Sequence, residues 1–277
     1  LFEHLAAVRP SSQITIAVIE GHPLHEELRG RKLPRNANIL WAPQATQGRR
    51  RRIRYERQVL YAWIEDRQVD VVLQLNGMVI PGLGPRTFCH FQDPWPYRPE
   101  AWTHVHDRLV AWVKRRANRR ALRECAVAGW TSTYLRNLVI SSVGIPADRS
   151  VVLYNGIPEA WLARGPGGAT PWSERPKRIV TVSNVAYFKR QWLIVEALGL
   201  LRSDTDLAGL TYHIVGHCDE RDLQDLSDVA ERVGVSQQIK IEGRVSDDRV
   251  EELLSTSSLF TLMSVCESFG IPAVEAM

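Results

Sequence analysis

Two carboxylates eight positions apart frame the stretch Glu267-Ser-Phe-Gly-Ile-Pro-Ala-Val-Glu275. Pro272 suits the first turn of a helix, where its missing N–H costs nothing, so Glu267 is expected in a loop and Glu275 in the opening of that helix. The N–H groups of Ser268, Phe269 and Gly270 then face an anion, because Gly270 allows close backbone approach and the helix dipole favours a phosphate there. Each carboxylate can accept paired hydroxyls from a sugar or a ribose. A sugar diphosphate fits this combination. Taken alone, two glutamates are more often solvated charges, so the reading needs partners elsewhere in the chain.

Lys189 closes the segment Val182-Ser-Asn-Val-Ala-Tyr-Phe-Lys189 just before a helical pattern begins. A lysine at a helix start opposes the dipole, but a bound diphosphate reverses the local field and Lys is a suitable point charge for it. His90 and Asp93, in His90-Phe-Gln-Asp-Pro-Trp-Pro-Tyr97, follow an apolar strand and are candidates for a base or for contacts to acceptor hydroxyls. The plain alternative is a structural Pro-Trp-Pro loop with a buried histidine. Asp204-Thr-Asp206 has the form of a metal-binding Asp-x-Asp pair, yet it leads into a strand, at the end of a sheet opposite to the chemistry, and no metal is expected there. His104 and His106 lack a third ligand at usable spacing for zinc.

The elements that position these residues alternate in type. Ile14–Ile19, Val69–Leu75, Thr87–Phe91, Val127–Trp130 and Val151–Tyr154 are short apolar runs rich in β-branched residues, separated by segments of helical period. From Ile179 the pattern restarts, with strands at Ile179–Ser183, Thr211–Val215, Ile239–Glu242 and Leu259–Met263 and helices at Gln191–Leu201, Leu223–Gly234 and Asp247–Ser255. Such alternation predicts an α/β protein with parallel sheets. A breaker-rich stretch at 164–177 reads as a linker, giving an N-terminal domain at 1–163 and a second at 178–277. Ligands bind beyond the carboxyl ends of strands in such sheets, which selects the loops 183–189, 216–219, 243–246 and 264–270. All four are polar or carry glycine.

Composition bounds the partners. With 44% hydrophobic and 24% charged residues in 277, this is a globular chain long enough for two cores. The four cysteines form no CxxC pair and read as reduced, buried, cytosolic thiols. Residues 1–150 hold 23 Lys/Arg against 13 Asp/Glu, a net of +10, whereas residues 151–277 carry a net of −6. The basic half suits an anionic surface. In the segment 109–123, Arg115, Arg116, Arg119, Arg120 and Arg123 share one arc of a helix with Leu109 and Trp112, while Val110, Val113, Ala117 and Ala121 form another. That mixture fits contact with an anionic membrane surface, a solvated arginine face being the plain alternative. No stacking platform or recognised binding module accompanies the charge, which argues against nucleic acid.

As a set, Val151-Val-Leu-Tyr-Asn-Gly-Ile-Pro, Val182-Ser-Asn-Val-Ala-Tyr-Phe-Lys-Arg-Gln-Trp, Ile214-Val-Gly216, Glu242-Gly-Arg-Val-Ser-Asp-Asp and the terminal Glu267 to Glu275 motif resemble the retaining, nucleotide-sugar-dependent glycosyltransferases of family 4 (group 1). The resemblance implies the GT-B fold: two Rossmann-like domains with parallel sheets facing across a cleft. It further implies transfer of a hexose from a UDP- or GDP-sugar to a glycan or lipid-linked saccharide, without a metal or other cofactor. Lys189 then binds the donor diphosphate and Glu267 the sugar hydroxyls. Ser268, Phe269 and Gly270 line sugar and phosphate, Glu275 holds the ribose, and Gly216, Arg244 and Val245 lie near the base. The family's usual arginine five or six positions before the lysine is replaced by Asn184 and Ser183, and Arg190 is the neighbouring charge that could stand in. The resemblance also implies that both ends are cut, the first strand and the end of the second domain being absent, so that this stretch alone is expected to be inactive. A peripheral position on the cytoplasmic face of the plasma membrane follows as an expectation. Two other classes share parts of the pattern: a sugar-nucleotide epimerase or hydrolase of the same fold, and a non-catalytic module binding anionic surfaces.

Overall fold

The β-branched run Ile14–Ile19 forms β1, and a helix at Phe2–Val8 (α1) precedes it. In the computed structural model, which describes residues 2–143, 149–157, 161–162 and 170–277, contacts divide the chain into two units. One comprises Leu1–Val71 with Ile80–Leu83, the other Val72–Val79 with Gly84–Met277. In the first, β1 pairs in parallel with β2 (Ala37–Ala42) through the crossover helix α2 (Pro23–Leu28). Helices α3 (Arg49–Tyr55) and α4 (Tyr61–Asp66) follow, joined by a short π-helix at Glu56–Leu60.

The second unit holds two four-stranded parallel sheets. One is ordered β3-β4-β5-β6, from Val72–Gln74, Thr87–Phe91, Val127–Trp130 and Ser150–Val152. Helices α5 (Asp107–Glu124) and α6 (Thr133–Val143) connect its later strands. The other is ordered β10-β7-β8-β9, with β7 at Arg178–Val182, β8 at Thr211–Val215, β9 at Ile239–Gly243 and β10 at Leu259–Phe260. Its crossovers are α7 (Gln191–Leu201), α8 (Glu220–Val233) and α9 (Asp247–Thr256), and α10 (Ile271–Glu275) follows β10. Each sheet has its own core: Phe91 stacks on Trp130 at 4.6 Å in one, and Val195, Leu198, Tyr212 and Ile214 are fully buried in the other. Asp219 and Ser246 cap α8 and α9 by accepting the N–H of Asp222 and Arg249, and Gly234, in the left-handed region at φ 75°, ends α8.

The α/β architecture with parallel sheets is as expected, and several boundaries are not. The strand β2 was not foreseen, and β1–β2 form a sheet separate from β3–β6 instead of one sheet across residues 1–163. Three strands are shorter than their apolar runs: β3, β6 and β10. All three lie at sheet edges, where one hydrogen-bonding neighbour instead of two supports the extended backbone. The linker expected at 164–177 lies partly outside the described residues, and the contacts place the residues on both sides of it in one unit. No helix among the described residues is long and apolar enough to cross a membrane.

The basic arc on α5 is also less uniform than the sequence implies. Arg115 is half-buried, donates to the Pro96 carbonyl and lies over the rings of Tyr97 and Trp102. The inward face is Ala111, Asn118, Ala121 and Leu122, whereas Val110, Val113 and Ala117 flank it half-buried.

Candidate active site

The order β10-β7-β8-β9 reverses direction between β7 and β10: the chain steps outward from β7 to β9 and then crosses back to the other side of β7. Neighbouring loops leave such a point in opposite directions and open a crevice beyond the carboxyl ends of the two strands. Lys189 comes from the loop after β7 and Glu267 from the loop after β10, so the two candidate residues flank that switch point. They meet there: the Lys189 ammonium donates directly to Glu267 Oε1 in a partly buried ion pair. The Val265 N–H bonds to the Phe188 carbonyl at 3.0 Å and holds the two loops together behind the pair.

Gly270, in the left-handed region at φ 82°, turns the chain into α10, and Pro272 stands in the first turn of that helix. Among the described residues the N–H groups of Ser268, Phe269 and Gly270 take no backbone acceptor, which leaves them for a ligand. Beside them, burial pushes the Cys266 thiol up to about 11, and the negative charges of Asp93 and Glu267 act in the same direction. The thiol stays neutral.

One contributor was not read from the sequence. Ser132, 9% exposed, donates its hydroxyl to the Ser268 carbonyl at 2.6 Å and accepts the Leu135 N–H at 3.1 Å. It therefore fixes the loop after β10 to the start of α6 in the other sheet, and the Tyr154 and Phe269 rings, 6.0 Å apart, lie alongside. Nothing in the local pattern marks a serine whose partner is a carbonyl 136 positions away.

The remaining candidates divide by what their side chains do. The Asn184 carboxamide oxygen accepts the His217 N–H at 3.0 Å, and Gln191 donates to the Asn184 carbonyl and to Ser183 Oγ, so Asn184 joins the loops after β7 and β8. Its side chain thus braces the two loops, and as a neutral amide it brings no positive charge to the site. Gly216 has φ 143°, and a Cβ on it would lie 2.4 Å from the Ser183 carbonyl oxygen. Only glycine lets these loops approach so closely. Arg190 adopts the left-handed region at φ 54° as the residue before α7, and Arg244 is exposed in the turn after β9. Val245 packs against the cluster of Val180, Val215 and Leu253, which leaves its backbone, not its side chain, to face a ligand.

Glu275 is half-buried, and burial together with the Asp247 charge pushes its carboxyl above the ordinary range. A raised folded-state value stabilises below the unfolded pKa, and that contribution is lost as pH rises through the folded value. Glu275→Gln is therefore expected to raise the melting temperature at pH 7 and to leave it unchanged at pH 4, as differential scanning fluorimetry at the two pH values will register. A stabilising substitution at this place is what a carboxylate kept for ligand binding predicts.

On the other sheet, His90 at the end of β4 is 9% exposed, and burial lowers its pKa. Its Nδ1 lies 3.0 Å from Gln92 Nε2, while Nε2 is buried without a partner. Gly129 on β5 makes room for it, since a Cβ there would lie 2.9 Å from the His90 ring and 2.5 Å from Phe88. The buried histidine foreseen as the plain alternative is present, with one ring nitrogen still unused. Asp93 accepts the Trp95 N–H and pairs with Lys114 at 2.9 Å. Asp204 caps a 3₁₀ turn by accepting the Asp206 N–H, so its carboxylate has a structural task.

Residues 168–277 match the family model described as glycosyl transferases group 1. Over 133 residues the chain is 28% identical to GDP-mannose:cellobiosyl-diphosphopolyprenol alpha-mannosyltransferase of Komagataeibacter xylinus, a match spanning 48% of this chain and 32% of that relative. Among solved structures, Anabaena HepE in complex with UDP and glucose superimposes with a TM-score of 0.69 at 15% identity, covering 99% of this chain and 72% of HepE. A glycosyltransferase from Rickettsia africae superimposes at 0.63 with 16% identity, covering 95% and 68%. The fold is thus that of the GT-B glycosyltransferases, and the second part of the chain is similar to the group 1 glycosyl transferases.

Proposed function

We propose that this protein transfers a hexose from a UDP- or GDP-sugar to a hydroxyl of a glycan or lipid-linked saccharide, with retention of configuration, as a family 4 enzyme. The observation that carries the reading is the Lys189–Glu267 pair astride the switch point between β7 and β10. A donor entering there exchanges the pair's mutual contact for its own. The diphosphate takes Lys189 and the N–H groups of Ser268 to Gly270, and the sugar hydroxyls take Glu267. As the bond to the diphosphate breaks, charge grows on the leaving group, and the fixed ammonium and N–H dipoles stabilise it without reorganisation. No metal is part of this proposal. Glu275 then receives the ribose hydroxyls, Gly216 and the Arg244–Val245 turn lie toward the base, and Arg190 adds charge at the phosphate.

His90 and Asp93 are assigned to the acceptor side, where holding donor and acceptor together supplies the proximity term. The names of the relatives support the substrate class: one uses GDP-mannose and a diphosphopolyprenol-linked saccharide, and another binds UDP and glucose. A lipid-linked acceptor would place the enzyme peripherally on the cytoplasmic face of the plasma membrane. Calorimetric titration of the protein with a panel of UDP- and GDP-sugars is expected to give saturable binding to at least one. Absence of binding to every member overturns the reading.

A further inference from the structure

Helix α5 presents one face that is exposed among the described residues. Its 18 residues, about 27 Å of helix, are held from one side by Ala111, Asn118, Ala121 and Leu122, with Asp107 fixing the first turn by accepting the Thr103 and His104 N–H groups. On a 3.6-residue repeat the opposite side carries Arg108, Leu109, Trp112, Arg116, Arg119, Arg120 and Arg123. All seven are exposed, Leu109 at 65% and Trp112 at 59%, and Val105 just before the helix is 93% exposed.

A merely solvated arginine face needs no partners for its charges, but it would not set large apolar groups such as Val105, Leu109 and Trp112 in water beside them. Here Arg120 pairs with Glu124 and Arg119 donates to the Val143 carbonyl, but Arg108, Arg116 and Arg123 take no partner among the described residues. Arg108, Trp112 and Arg116 are spaced by four, so the indole stands between two unpaired guanidinium groups on one line along the helix. The surface is a convex helix side, not a groove. A helix lying flat on a lipid surface puts Leu109 and Trp112 into the boundary between headgroups and acyl chains while the arginines meet anionic headgroups. Nucleic acid would use the charges and the indole but leave Leu109 and Val105 in water.

We infer that α5, through Val105, Leu109, Trp112, Arg108, Arg116 and Arg123, docks the protein on an anionic phospholipid surface. The inference stands apart from donor binding: none of these residues belongs to the Lys189–Glu267 site. It is tested by sedimentation of the protein with vesicles of phosphatidylglycerol and phosphatidylcholine, with vesicles of phosphatidylcholine alone, and with an oligonucleotide as competitor. The expected results are binding to the anionic vesicles only, a loss of on the order of tenfold or more in partition for Leu109→Ser with Trp112→Ser, and a similar loss for Arg116→Gln with Arg123→Gln. Both variants are expected to bind sugar nucleotides as the parent does. Equal binding to neutral vesicles, no binding to either kind, unchanged partition in both variants, or displacement of the vesicles by oligonucleotide with the Leu109/Trp112 variant unimpaired would each overturn it.

Discussion

Lys189→Ala is expected to weaken nucleotide-sugar binding about 10- to 100-fold, the range for losing a hydrogen bond to a charged group. The free nucleoside diphosphate should weaken in parallel, because the ammonium serves the phosphates. Glu267→Ala is expected to behave differently. Removing the carboxylate frees Lys189 from its ion pair, so the nucleoside diphosphate should bind as well as before or better, while the sugar nucleotide weakens for want of its hydroxyl acceptor. Calorimetry with both ligands separates the two effects. Parallel losses in the two variants would mean that the pair acts on one ligand group only and that the assignment of roles is mistaken.

The second large effect is on stability. Gly216→Val places a branched side chain where a Cβ would already lie 2.4 Å from the Ser183 carbonyl oxygen and 2.8 Å from the Asn184 nitrogen, at a φ of 143° that L-residues rarely adopt. Those neighbours are backbone, held by the bonds from Gly216 N to the Gly243 carbonyl and from Val185 N to the His217 carbonyl, both 2.8 Å. They cannot yield without opening the strand ends. A cost of about 3 kcal/mol or more is expected, or a fall of roughly 6–12 °C in the melting temperature. A thermal melt within a degree of the parent would show that the loops after β7 and β8 are not closely joined.

The parts of the site legible in the sequence were those encoded within one loop. Gly270 with Pro272 announces a turn into a helix, and the polar ends of four apolar runs mark the carboxyl edge of a parallel sheet. Periodicity gives the type of each element but not its neighbour, so the reversal between β7 and β10, which brings Lys189 to Glu267, was not available. The same limit hid Ser132 and the joining of two loops by the Asn184 side chain. Strand β2 escaped for a different reason: in Ala37-Asn-Ile-Leu-Trp-Ala42 a central apolar run is flanked by alanine and asparagine, which carry little strand preference. On α5 the arc of arginines followed from spacing alone, but the burial of Arg115 depends on Trp102 and Tyr97, which reach it from turns outside the helix.

The most direct measurement is a calorimetric titration of the preferred sugar nucleotide into the parent protein and into a variant carrying both Lys189→Ala and Glu267→Ala. Saturable binding by the parent and none by the double variant, with both proteins melting cooperatively, is the predicted result. Undiminished binding by the double variant would contradict the account, because the donor would then lie somewhere other than the crevice between β7 and β10.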